Sequence, residues 1–357
     1  MKRGLLCEID KPRSPLDKQT SAYRYVCGHG CPQTYSYAAS NHLPPASSLD
    51  ERLVHMPTKP LEKLLYRELS KVSAKELIDI ASPLLQELVN FSTNAFARCA
   101  SSSKGKADED LAVLILYLHV IEMTDAIEVL ISQSCPAPAQ TLLRSSFEAT
   151  IYIEYILEKE SEYIARSLAW LVGYVHSRLE AYRLFSPSAP PDRSVRKALE
   201  EHKSEAIQAL EVKDPARAIE NLENFLAQPH IQLVEKLFQE HRRWKWYQIL
   251  DSSLSSLRAL TRYLKREAEY LILYKQWSSI SHAHDLSRFL ARSSDGDPGF
   301  KALRDPGTMR LVTSHAASFM LRATRLVLGK FRPGEDISQW YATEVRERYM
   351  LITGGCT

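Results

Sequence analysis

The stretch AQTLLRSSFEATIYIEYIL, residues 139–157, decides the fold. It is apolar nearly all round, the pattern of a helix buried in the middle of a bundle. Inside it sit Arg144 and Glu148, four residues apart and so on one helical face. Charges are seldom fully buried without partners. The pair is therefore a structural pin or the floor of a site. Just upstream, Asp110–Ser134 reads as a long helix whose first half is almost wholly apolar, with CPAP (135–138) as a break. So short a connection predicts an antiparallel helical hairpin. His119 falls in the apolar half, where a lone histidine is more often a hydrogen-bonded core residue than a ligand.

The composition agrees with this reading. At 357 residues, with 45% hydrophobic and 25% charged residues, the chain can build one large core or two modest ones. Gly is scarce at 12, while Leu, Ala, Glu and Arg abound, which favours helix over strand. The expectation is an all-α fold, a multi-helix bundle with an irregular N-terminal arm. The net charge of +3 does not by itself argue for nucleic acid. No uncharged apolar run reaches the roughly 18 residues of a membrane span. The start, MKRGLLCEIDKPRSP, lacks the apolar stretch of a signal peptide. A cytoplasmic protein with reduced cysteines is expected.

Residues 1–58, rich in Pro, Ser, Tyr and Cys, form the expected arm. Within it Cys27-Gly-His29-Gly-Cys31 lies between Cys7 and His42. The spacing is odd for zinc and no second ligand pair follows, so a plain loop is the preferred reading over a metal site. Residues 59–357 form the expected bundle. Helices are read over 61–100, with Ser73 and Glu76 as a capping box and Pro83 as a kink or division. Others are read over 161–185, 195–210, 214–227, 229–240, 253–267, 269–290, 311–328 and 337–351. The helices at 195–228 look like a polar excursion with solvated faces. SSDGDPGF is read as a loop, and Gly329 and Pro333 as the stop of the 311–328 helix.

No motif settles the chemistry. The chain has no GxGxxG, Walker lysine loop, HExxH or GxSxG. Glu122, Asp125 and Glu128 share a helix without the ExxH partners of diiron bundles. His282-Ala-His284 points its two rings about 200° apart on a helix, a poor metal pair. What remains is a constellation. Tyr274, Ser278 and His282 lie at four-residue steps. Arg144 can hold a phosphate or carboxylate bidentately, Glu148 can orient a partner or act as base, and His282 can move protons near neutral pH. Residue types alone favour one buried polar network that fixes helix register. HRRWKWYQ (241–248) interleaves basic and aromatic residues. It reads as a packing corner in preference to a base-stacking surface, in which Arg242, Arg243 and Trp246 would meet a substrate together with His284.

Leu143-Arg144-Ser145-Ser146-Phe147-Glu148, after a hairpin from an apolar helix, resembles the L-R-S-x-F-E signature of the bacterial "domain of unknown function 5677" family. Tyr274-x3-Ser278-x3-His282-Ala283 resembles the family's second signature. Trp246 and the SLSSL segment stand where that family tends to have a tryptophan and an apolar helix. The likeness covers roughly residues 75–295. It implies an all-α bundle, similar in layout to HEPN-type helical domains. Many of those are metal-independent ribonucleases of toxin–antitoxin and antiphage systems, with an Arg-x4-6-His motif. Here no Arg stands four to six residues before His282; Gln276, Trp277 and Ser278 do. The arginine would have to be Arg144.

Two readings follow. One is a defence or toxin-type effector acting on RNA or a nucleotide without metal or cofactor, with Arg144, Glu148, His282, Ser278 and Tyr274 as its catalytic group. The other is a non-catalytic module that senses a ligand or binds a protein. The expected partners are RNA or a nucleotide and a protein from the same operon, with a homodimer as a further expectation and no membrane.

Overall fold

The computed structural model describes residues 23–26, 35–37, 65, 67–103, 108–184, 197, 214–241, 245–281, 289–292, 298–301 and 303–354. Two units emerge, one of residues 1–66 with 286–303, the other of 67–285 with 304–357. The first holds β1 (Tyr23–Val26) and β2 (Tyr35–Tyr37). The second starts with α1 (Arg67–Ser73), α2 (Lys75–Ser102), α3 (Asp108–Ser132), α4 (Pro136–Leu157) and α5 (Tyr163–Arg183). There follow α6 (Pro215–Leu226), α7 (Gln232–Glu240), α8 (Leu257–Tyr263) and α9 (Glu267–Glu269). A π-helical turn, Tyr270–Tyr274, joins α9 to α10 (Lys275–Ser281). The first unit regains the chain for β3 (Leu290–Arg292) and β4 (Pro298–Lys301). The helical unit closes with α11 (Met309–Phe331), α12 (Ser338–Trp340), a π turn over Tyr341–Val345 and α13 (Arg346–Thr353).

In the first unit the strand order is β2-β1-β4-β3. β1 pairs antiparallel with β2, Tyr23 opposite Tyr37, and parallel with β4, Tyr25 opposite Phe300. β3 and β4 pair antiparallel, Leu290 opposite Phe300. Pro298, Gly299 and Phe300, the end of the SSDGDPGF stretch read as a loop, thus belong to β4, and Leu290, read as the end of a helix, opens β3.

The helical unit is built on α2, α3, α4 and α11, which pack on one another. The turn between α3 and α4 is short because Ser134 takes a positive φ of 56° and Cys135 N donates to the Leu130 carbonyl at 2.7 Å. Pro136 does not interrupt α4 but begins it, where its missing N–H costs nothing. Pro83 neither divides nor ends α2, which runs through it. Ser73 is not the cap of α2. Ala74 stands at that position, and the Ser73 hydroxyl donates back to the Ser70 carbonyl at 2.9 Å. Ser256 does cap α8, accepting from Ala259 N at 3.2 Å, and Asp214 caps α6, accepting from Arg217 N at 3.0 Å. Nor does Gly329 stop α11, which continues to Phe331. Apart from Lys197, the helix read over 195–210 lies outside the described residues, as do Cys7, Cys27, His29, Cys31 and His42. No helix among the described residues is long and apolar enough to cross a membrane.

A buried polar triad fixes the register of α2, α3 and α11. The Ser92 and Thr324 hydroxyls lie 3.0 Å apart, and the Tyr117 hydroxyl is 2.9 Å from Thr324 and donates to the Ser92 carbonyl at 3.3 Å. All three residues are sealed from solvent. Burial pushes the Tyr117 phenol up to about 12 from its ordinary 10. The folded state therefore keeps a proton that the unfolded chain releases, so stability is lost as pH rises through this window. Between about pH 10 and 12 this residue alone should remove roughly 2–3 kcal/mol. Thermal melts of wild type and Tyr117→Phe across that range check it. The variant should lose less, and identical profiles would reject the assignment.

Candidate functional site

α4 carries the residues the sequence singled out, and the π-helical turn that leads into α10 supplies their partner, Tyr274. On α4 the four-residue step continues beyond the predicted pair: Arg144, Glu148 and Tyr152 form one stripe. The Arg144 Nε lies 3.3 Å from Glu148 Oε1, a pairing four residues apart on one helix. The Tyr274 hydroxyl donates to the same Oε1 at 2.7 Å. The Arg144 guanidinium also stands over the Tyr274 ring, 5.1 Å from its centroid, within cation–π range. One carboxylate oxygen thus gathers a cation and a phenol from two helices.

The cluster is half-open. The Arg144 and Glu148 side chains keep 26% and 30% of their surface, so a ligand can reach them. Neither charge is sealed in the core. Behind them Phe147 is buried, its ring 5.7 Å from Tyr274 and 5.6 Å from Phe319. Trp277, one turn beyond Tyr274, is wholly buried and holds α10 against this aromatic floor.

The electrostatics follow from that geometry. Burial opposes the Arg144 charge, but the Tyr274 hydroxyl and the Glu148 carboxylate outweigh it, holding the guanidinium above its ordinary value. Burial, then the bond to Glu148, pushes the Tyr274 phenol up to about 12. It stays a proton donor throughout the neutral range. Tyr152 and Tyr247 feel the same carboxylate. Burial first and Glu148 second raise both, Tyr247 to about 12. One phenol and one guanidinium therefore meet Glu148, and two further phenols feel its charge. A carboxylate so placed can accept hydrogen bonds, orient Arg144, or be exchanged for the oxygens of an incoming anion.

Other predicted residues fall as follows. Ser278 lies on α10, one turn past Tyr274 and half-buried. His282, His284, Arg242 and Arg243 lie outside the described residues. Trp246 opens a 3-10 turn, and its ring packs on Tyr152 at 5.3 Å and Tyr155 at 5.7 Å. A Cβ added at Gly173, in the middle of α5, would come within 3.0 Å of the Trp246 Cβ. Glycine weakens a helix interior; here it admits the tryptophan. His119 is bonded, but on the rim and not in the core. Its Nε2 is 2.8 Å from the Ser145 hydroxyl, beside Arg144, and its side chain is 38% exposed. Glu128 of the acidic trio turns inward, accepting from the Ser82 hydroxyl at 2.5 Å and Gln86 Nε2 at 2.9 Å.

Fold and cluster together define an all-helical bundle with a half-open arginine–glutamate–tyrosine centre between two of its helices. The chain belongs to the family of unknown function DUF5677, whose model matches residues 110–297, from the start of α3 to the strands after α10. No curated protein and no solved structure gave a match.

Proposed function

We propose that this protein is an effector of the defence or toxin type that acts on RNA or a nucleotide, with the Arg144–Glu148–Tyr274 cluster at its site. The observation that carries this reading is the half-open guanidinium, 3.3 Å from one carboxylate and stacked over a phenol on the neighbouring helix. Arg144 clamps a phosphate of the substrate. Glu148 orients Arg144. Tyr274, neutral at physiological pH, adds a donor to the phosphate oxygens. His282, just beyond the end of α10, takes the proton of a ribose 2′-hydroxyl and returns one to the leaving oxygen, with Ser278 orienting it. That sequence of proton transfers needs no metal. Trp246 fixes the corner from which the segment bearing Arg242 and Arg243 departs; these two and His284 are the proposed substrate contacts.

The test is purified protein on total RNA. Wild type should cleave it, and Arg144→Ala and His282→Ala should each lower the rate at least about 100-fold. Cleavage that persists in both variants overturns the proposal.

A second reading has its own observation: Glu148 already takes Tyr274 and Arg144 within the fold. A purely structural network predicts that Arg144→Ala lowers Tm by several degrees and has no effect beyond that loss. A variant that melts like wild type and has lost biological effect excludes it.

A further inference from the structure

The last turns of α11 and Arg332, the residue that follows them, carry an arrangement that the Arg144 cluster does not use. Arg322 and Arg325 fall within about 60° of one another around the helix axis, and Arg332 follows the end of the helix. They line a hollow of about 870 Å³, together with Gly329, Tyr341 and Tyr349. That volume is within the range of small-molecule pockets, about 300–1,000 Å³. None of these residues falls in the family-matched span.

The charges of the hollow are unevenly satisfied. Glu335 is held by Arg98, whose Nη2 lies 2.5 Å away, and by Arg332, whose Nε lies 3.0 Å away. Asp336 is the second carboxylate of the lining, and its side chain accepts from Ser338 N at 2.8 Å; against these two acids stand Arg322, Arg325 and Arg332, an excess of one positive charge along the lining. Arg322 reaches Glu154 of α4 at 3.4 Å, a long contact. Arg325 is exposed and has no acidic partner among the described residues. Each guanidinium presents five donors in a fixed fork, and only a few of these are used here. The negative end of the α11 dipole lies at Phe331, so an anion is best placed further back, between Arg322 and Arg325.

Gly329 is the second observation. It is helical, in the last turns of α11, and a Cβ added there would meet nothing within 4 Å. Alanine would fit and would favour the helix. The glycine therefore serves neither a turn nor a close approach inside the protein. It keeps side-chain volume out of the hollow, between Arg325 and Arg332 in sequence.

We propose that this hollow binds a small organic oxyanion, its phosphate or carboxylate held by Arg322 and Arg325 and its body lying over Gly329 beside Tyr341 and Tyr349. The site is independent of the reading of the Arg144 cluster. Titration calorimetry of the full chain with ribose 5-phosphate, citrate and ribose tests it. Ribose 5-phosphate or citrate should bind saturably at one site, and whichever binds distinguishes phosphate from carboxylate; ribose should not bind. Arg325→Ala, a change at an exposed position, should weaken binding about tenfold or more. Gly329→Leu should abolish binding while melting at or above the wild-type temperature. Failure of both anions to bind overturns the proposal, and so does binding equally tight in both variants.

Discussion

Arg166→Ala should lower the Tm of the helical unit by roughly 6 °C, the equivalent of about 3 kcal/mol. Only 2% of the Arg166 side chain is exposed, yet every face of its guanidinium is met. Nη1 donates to the Tyr155 carbonyl at 2.5 Å and to Glu158 at 3.0 Å, Nε donates to Glu162 at 2.9 Å, and Nη2 donates to the Tyr263 hydroxyl at 3.2 Å. Its carbon stands 4.1 Å from the Tyr155 ring centroid. The Tyr155 carbonyl belongs to the last turn of α4, where its backbone donor, Glu158 N, is a long 3.4 Å away. One side chain of α5 thus closes the end of α4 and ties both to α8. Glu158 and Glu162 are 36% and 43% exposed, so water can replace the arginine at the carboxylates. It cannot do so at the buried carbonyl. Most of the loss therefore comes from that carbonyl and the emptied volume, with little from the ion pairs. Arg166→Met, which keeps the bulk and drops the donors, should recover part of it. Melting of Arg166→Ala within about 1 °C of wild type would show that the guanidinium does not hold these helices together.

Arg166 also shows what the sequence could and could not reveal. It stood in a predicted helix, but nothing in its spacing announced four acceptors drawn from three segments. The hydrophobic pattern located α3, α4 and α11 well, because long apolar runs leave no other way to be buried. Their ends were harder to place. CPAP was read as a break, yet Pro136 begins α4, because its missing N–H has no cost at a first helical position. Ser73 matched a capping box, yet its hydroxyl found the Ser70 carbonyl first. Of the cluster, Arg144 and Glu148 were readable from their spacing, and Tyr152 could have been by the same step. The convergence of Tyr274 on Glu148 needs the docking of α10 on α4, which no local pattern encodes. His119 sits on a helix apolar on every side, so periodicity could not tell a rim position from the core. The strands at 290–301 escaped because each is only three or four residues long, too short for a period to show, and the other neighbour of β4 is β1, far off in sequence.

Trp277→Ala should cost about 4 kcal/mol, near the upper range for core truncations, and Trp277→Phe far less, about 1 kcal/mol. Trp277 lies between Tyr274 and Ser278 in sequence, and its ring is wholly buried. It meets Phe147 of α4 at 6.5 Å and Phe319 and His315 of α11 at 6.0 and 5.7 Å, each time edge-on. Such contacts add to the area that the ring buries. Its indole nitrogen has no hydrogen-bond partner among the described residues, so phenylalanine forfeits volume and no polar contact. Alanine leaves a hole where α10, α4 and α11 meet. The loss should reach beyond stability, because Trp277 holds α10 at the distance from which Tyr274 bonds Glu148. Released from that carboxylate, the Tyr274 phenol should titrate below about 12, a change that ultraviolet titration against a Tyr274→Phe background isolates. Equal melting temperatures for the alanine and phenylalanine variants would mean that the ring does not anchor α10. The approach of Tyr274 to Glu148 would then have to come from the π-helical turn that holds it.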